Sequence, residues 1–210
     1  MTRYHHGDLR AALVEASFGV LADCGLQRFS VAAVARRIGV STAAPYRHFP
    51  DRAHLLSAVS AAAARDLRTA IEAAAEKAGS DPAARMASVA GAYVRYVGRT
   101  GAGMSVIFAN ELYEVSDDER REQTRALMST LLDLAAAAPG PAGVSSAAGA
   151  SPAAGASAAG YPGAVRLLEA TLAVAHGYVS LFAEGFFARG DLSLDGIAER
   201  ATHAALTLLD

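Results

Sequence analysis

Ser30-Val31-Ala32-Ala33-Val34-Ala35-Arg36-Arg37-Ile38-Gly39-Val40-Ser41-Thr42-Ala43-Ala44-Pro45-Tyr46-Arg47-His48-Phe49 is the stretch on which the reading of this 210-residue chain turns. Ser30 is placed to cap a helix running to about Ile38, with Phe29 before it and Val34 four positions after it set for a hydrophobic staple. Gly39 supplies a turn, Val40 an apolar plug, and Ser41 a cap for a short helix through about Phe49. Two short helices across a tight turn, the second rich in donors and cations, form the arrangement that sets a helix in the DNA major groove.

Before this stretch, Leu9, Ala12, Leu13, Ala16, Val20 and Cys24 recur at helical spacing and predict a first helix from about Asp8 to Asp23, stopped by Gly25. Three helices this short are not stable singly and must share a core. Phe18, Leu21, Phe29, Val34, Ile38, Val40 and Phe49 are its expected members. Cys24, the one cysteine, cannot form an internal disulfide and reads as a buried core thiol.

After it, Asp51 caps a long fourth helix, Arg52 to about Ala78, expected as a connecting rod. Asp81-Pro82 starts another in cap-then-proline order, carrying Met86, Val89, Tyr93, Val94 and Val97. Met104 to Tyr113 is apolar, and Ser116-Asp117-Asp118-Glu119 reads as a capping box opening a helix through Leu134. Residues 135–160 are Ala, Gly, Ser and Pro apart from Val144, too little apolar area to repay ordering, and are expected to form a flexible loop. Pro162 opens a long apolar helix to about Ala188, and Ser193 caps a last one ending near Leu209. No segment sustains two-residue alternation, so the expected fold is all-α. Its domains are a three-helix helix-turn-helix unit, residues 1–50, and a larger helical unit, residues 51–210.

Charge divides along the same line. Residues 1–50 carry six Arg against three acids, and the remainder thirteen cations against eighteen acids, so the positive field sits on the N-terminal block and suits a polyanion. No apolar run follows a basic start, and no eighteen-residue apolar span avoids charges or helix breakers, so a cytoplasmic chain without membrane insertion is expected.

In a helix-turn-helix the second helix enters the groove by its N-terminal end, which puts Ser41, Thr42, Ala43 and Ala44 nearest base edges. Thr42 can hydrogen-bond or offer a methyl to thymine, and Ala43 and Ala44 make only apolar contacts. With no Arg, Asn or Gln there for bidentate reading, direct readout should be modest and DNA shape should contribute. Tyr46, Arg47, His48 and Arg52 suit phosphates, Ser30 and Arg36 lie on the preceding helix, and Arg3 in the N-terminal arm is placed for a minor groove. The alternative for each Arg is a solvated surface side chain. Farther on, Tyr93, Tyr96, Met104, Phe108, Met128, His176, Tyr178 and Phe182 are candidates to line a cavity for a small, largely apolar ligand, or else ordinary core.

Tyr4-His5-His6-Gly7-Asp8-Leu9-Arg10, the Ser30 to Ser41 run, the Tyr46-Arg47-His48-Phe49 ending and the following Leu55-Leu56 resemble the tetracycline-repressor family of bacterial regulators over about residues 5–60. Ala43-Ala44-Pro45-Tyr46 and His176-Gly177-Tyr178 resemble a subgroup with a C-terminal Trp-His-Gly signature, here with Ala175 in place of the Trp. The resemblance implies a transcriptional repressor acting on a double-stranded DNA operator, a homodimer through the last two helices, and a small-molecule effector in the C-terminal domain. It aligns Tyr46, His48 and Arg52 with phosphate contacts and Thr42 to Ala44 with base reading.

Three rival readings are weighed. The six His are scattered, with no His-Glu-x-x-His, no Glu-x-x-His pair and no phosphate loop, so no enzyme activity, cofactor or metal is expected. Glu199 and His203 can share a metal, although an exposed i,i+4 pair is the preferred account of them. The other rivals are a helical protein-interaction module and a transcriptional activator of the same fold.

Overall fold

A computed structural model describes residues 8–139, 162–188 and 192–209. Within them the chain is helical, with α1 Leu9–Arg28, α2 Val31–Arg37, α3 Arg52–Lys77, α4 Pro82–Thr100, α5 Met104–Ile107, α6 Asp118–Ala137, α7 Pro162–Ala183 and α8 Leu194–Leu206. Two 3-10 turns, Ala44–Arg47 and Asn110–Leu112, complete the described elements. Arg3, most of the Ala/Gly/Ser/Pro loop expected over 135–160, and residues 189–191 lie outside the described residues.

Helix starts follow side-chain caps, those at Ser30, Asp51, Asp81 and Ser193 as read from the sequence. Asp8 accepts from Ala11 N at 3.0 Å, Ser30 from Ala33 N at 3.2 Å, Asp51 from His54 N at 2.9 Å, Asp81 from Ala84 N at 3.2 Å, and Ser193 from Gly196 N at 3.2 Å. The capping box expected at Ser116 is displaced by one residue. Asp117 holds the position, its Oδ1 accepting from Arg120 N at 3.0 Å, so α6 begins at Asp118. Its other oxygen accepts from the Ser57 hydroxyl at 2.7 Å, a tertiary contact that orients this carboxylate.

Chain contacts group the residues into two compact units, 1–66 with 99–125 and 67–98 with 126–210. In the first, α1 is broken at Gly25 (φ 71°, ψ 172°), so its last turn is a separate piece leading to Phe29. Leu13, Leu21, Phe29, Val34, Phe49, Leu55, Leu56 and Val59 form the core, each at most 3% exposed. Phe18, Ile38 and Val40 are only half-buried, and so is Cys24, whose thiol donates to Val20 O at 3.1 Å near the end of α1. From Leu55 to Ala64 every residue of α3 is buried, including the run Ala61 to Ala64. Ser57 and Ser60 fall inside this stretch, and Ser60 spends its hydroxyl on Ile107 O at 2.8 Å. Gly101 (φ 66°) lies so close to α1 that a Cβ there would sit 2.6 Å from Leu21 C and Ala22 N.

The second unit is built on Leu67, Ile71, Met86, Val89, Tyr93, Leu127, Leu131, Leu168 and Ile197. Helix α8 packs on α7 and lies against α4, where Gly91 and Gly98 leave no room for a Cβ beside Thr202 and Leu194 and where Arg95 pairs with Asp195 at 2.8 Å. Gly163–Ala183 of α7 has the length and hydropathy of a membrane span but carries Arg166 and Glu169, and 28% of its window is buried. Apolar side chains are therefore left exposed there, Leu181 among them at 38%.

Candidate nucleic-acid interface

Helix α2 ends in a Schellman motif that sets the turn. Val40 N bonds Ala35 O at 3.1 Å and Gly39 N bonds Arg36 O at 3.2 Å, while Gly39 takes φ 73°, a value a side chain would disfavour. The expected helix from Ser41 to Phe49 is shortened to the 3-10 turn Ala44–Arg47. Pro45 is the reason, since it has no N–H to bond back to Ser41 O, leaving Ala44 N to take that carbonyl at 3.0 Å in a tighter ring. The proline ring is buried, and His48 N and Phe49 N both bond Pro45 O at 2.9 Å, so the turn is closed on its apolar side by Pro45 and Phe49.

What this leaves outward is a compact polar edge. Ser41, Thr42 and Ala43 are exposed and Ala44 half-buried; Tyr46 (54% exposed), Arg47 and His48 stand beside them. Among the described residues the side chains of Tyr46, Arg47 and His48 make no hydrogen bond or ion pair, so their donors face solvent. Arg36 is likewise exposed at the end of α2. Arg37 beside it lies over Gly19 and pairs with Asp23, clamping α2 to α1. The Ser30 hydroxyl is half-buried and serves as the α2 cap.

Arg52 is placed differently from the other expected phosphate residues. Its Nε donates to Phe29 O at 3.0 Å, its Nη2 to Leu26 O at 2.9 Å, and its Nη1 to the Glu111 carboxylate, with the guanidinium 5.6 Å from the Phe29 ring centre. Near it, Ser57 and Arg120 share the Asp117 site, where Arg120 Nε donates to Ser57 Oγ at 3.1 Å and Nη2 to Leu112 O and Val115 O at 3.0 Å each. Burial works to raise the Asp117 pKa, but the Arg120 N–H, the Ser57 hydroxyl and the Arg120 and Arg10 charges outweigh it and hold the carboxyl below its usual range. Asp51, fully exposed, is also lowered, first by its hydrogen bond to the His54 side chain.

The model of the family described as bacterial regulatory proteins, tetR family, matches residues 13–59, which enclose most of α1, then α2, the 3-10 turn and the start of α3. Over these residues the chain carries the N-terminal domain of this tetR family. Among solved structures, a protein of unknown function from Rhodococcus sp. RHA1 is 27% identical, with a TM-score of 0.65 over 100% of this chain and 99% of that one. A tetR-family bacterial regulatory protein from Rhodococcus RHA1 is 19% identical with a TM-score of 0.60, covering 95% of this chain and 96% of that one. The tetR-family transcriptional regulator PfmR from Thermus thermophilus is 18% identical, again at 0.60, covering 94% and 98%. These last two share the fold. No curated protein matches the chain. The matched residues are the helix-turn-helix domain by which regulators of this family bind DNA.

The residues expected around a ligand are divided between the two compact units. Met104 and Phe108 belong to the first compact unit, and Phe108 is exposed. In the second, His176 is at the surface and not in the core, its Nδ1 3.3 Å from the phenol oxygen of fully buried Tyr93. That contact gives the buried phenol a partner, which is the ordinary requirement of a core tyrosine. Tyr96 and Met128 are half-buried, and Tyr178 stacks on Phe187 at 6.2 Å. Phe182 lines an open cleft of about 330 Å³ with Gly185, Phe187, Ala188, Leu192 and Ser193. Glu111, Ser57 and Arg120 are not legible as a group in the sequence, because 59 to 63 residues separate the partners.

Proposed function

We propose that this regulator is a homodimeric, cytoplasmic repressor that binds a near-palindromic operator and is released by a small-molecule effector. Residues 1–50 are the DNA-reading part and residues 51–210 the effector-binding and dimerising part. The observation that carries the reading is the edge from Ser41 to His48, where a turn closed by buried Pro45 and Phe49 leaves Tyr46, Arg47 and His48 exposed and unpaired. In it, Thr42, Ala43 and Ala44 meet base edges through methyl groups, and Tyr46, Arg47, His48, Ser30 and Arg36 meet phosphates. The exposed apolar side of α7, with α8 beside it, supports subunit pairing, since an apolar helix left open to water is stabilised by a second copy. Of the residues weighed for effector contact, Phe182 in its cleft has the most support.

The test is binding of purified protein to DNA flanking its own gene across a salt series, with Arg47→Ala as control. Tight binding that weakens steeply with salt, and a slope shallower by about 0.9 in the variant, is expected. Binding indifferent to salt, or to Arg47, would overturn the reading.

A further inference from the structure

We infer that Arg52 is a positioning residue of the DNA-reading unit and not one of its phosphate contacts, and that Glu111 acts through it. The inference rests on the DNA-binding reading above and departs from the role that the resemblance assigns to Arg52.

A guanidinium offers donors on three nitrogens, and here each has an acceptor. Two of the acceptors belong to the last turn of α1 and the residue that follows it: Leu26 O, which also accepts from Phe29 N at 3.2 Å, and Phe29 O at the C-cap, past the last helical bond. Phe29 immediately precedes Ser30, the cap of α2, so Arg52 fixes the joint from which α2 departs. The third acceptor matches its charge. A phosphate arriving at Arg52 would meet the Glu111 carboxylate already there, and like charges would oppose it.

Glu111 is itself held in place. Ile107 O is bonded by Ser60 on one side of it, and on the other Leu112 O and Val115 O are bonded by Arg120, which also reaches Ser57. Ser57 and Ser60 stand on α3 with Arg52, so α3 pins one flank of the Glu111 segment directly and the other through Arg120 of α6. The carboxylate is thus a fixed point against which Arg52 orients the end of α1.

The two roles predict opposite signs. If Arg52 were a phosphate contact, Arg52→Lys would retain most affinity, since a point charge serves a phosphate, and Glu111→Ala would tighten binding by removing an acid from a DNA-binding unit. As a clasp, a lysine cannot reproduce the fork, and Glu111→Ala loosens the joint. Duplex DNA recovered by the full chain from a random-sequence pool serves as probe, titrated against wild type, Arg52→Lys, Glu111→Ala, Glu111→Gln and Arg47→Ala over a salt series. Arg52→Lys and both Glu111 variants should bind roughly tenfold more weakly, the change expected for one lost charge-assisted hydrogen bond, with the wild-type salt slope. Arg47→Ala alone should reduce the slope, by about 0.9. Wild-type affinity in Arg52→Lys, or tighter binding by Glu111→Ala, would overturn the inference. Hydrogen exchange on the DNA-free proteins tests the clasp separately, with faster exchange expected at the amides of residues 29–34 in Arg52→Lys and Glu111→Gln. Unchanged exchange there would overturn it. A wild-type chain that recovers no DNA sinks the proposed function instead.

Discussion

Replacing Gly101 by alanine should destabilise the protein more than the same change at Gly39, although both glycines have positive φ, 66° and 73°. At Gly39 a Cβ would meet nothing within 4 Å, so the cost is that of holding an L-residue in the left-handed region, about 1–2 kcal/mol. At Gly101 the Cβ would fall 2.6 Å from Leu21 C and Ala22 N and 2.7 Å from Leu21 O. These are backbone atoms within α1, which cannot rotate aside as a side chain can, so the turn or the helix must shift. Overpacking of this kind adds roughly 1–3 kcal/mol, for a total of about 2–5 kcal/mol. At about 2–4 °C per kcal/mol for a chain of this size, Gly101→Ala should melt roughly 4–20 °C below wild type and Gly39→Ala roughly 2–8 °C below it. Thermal unfolding followed by circular dichroism at one protein concentration measures both. An equal shift for the two variants would refute the argument that α1 and the Gly101 turn are in backbone contact.

Replacing operator thymines under the reading edge by deoxyuridine, which removes only the 5-methyl, should weaken binding by about fourfold per contacted base, the fold-change of roughly one buried methyl. Unchanged affinity, with loss instead on 7-deazaguanine substitution, would show that guanines are read. Asp117 has a folded pKa below its unfolded value, so its contribution to stability is complete above the unfolded value and disappears as pH falls through the folded one. Denaturant unfolding of Asp117→Asn should therefore give a stability profile below about pH 4 that is flatter than wild type; parallel profiles would count against it. Leu181→Glu on the open side of α7 should shift the chain toward monomer in sedimentation equilibrium, and an unchanged mass would remove that side from the subunit contact.

Where the determinant of an element is local, the sequence displays it. Ser30, Asp81 and Ser193 cap the helices that their spacing predicts, and Gly39 closes α2 through bonds that span five residues. Pro45 also announces its effect, since four residues past the Ser41 cap its missing N–H removes the bond to Ser41 O that an α-helix would make, which favours the tighter 3-10 turn that is found. What the sequence hides is set by partners distant in the chain. The cap of α6 falls on Asp117 and not Ser116 because Ser57, sixty residues earlier, orients that carboxylate. Arg52 resembles a phosphate ligand because nothing near it in the sequence hints at Glu111. His176, in an apolar run, reads as core, but its helix turns that face to the surface and leaves only the ring nitrogen to meet Tyr93. No local pattern separates an exposed from a buried side of a helix that is apolar all round.

The unbroken burial of α3 from Leu55 to Ala64 has a consequence for genetics. Seven of these ten positions are already alanine or serine, so a scan that truncates residues to alanine changes little there and would report the region as tolerant. Enlargement is the informative direction, since any added methylene at Ala61 to Ala64 must displace a neighbour across a closed contact. A library biased toward small residues would pass over the segment, whereas one rich in Val and Leu would find it among the least permissive in the chain.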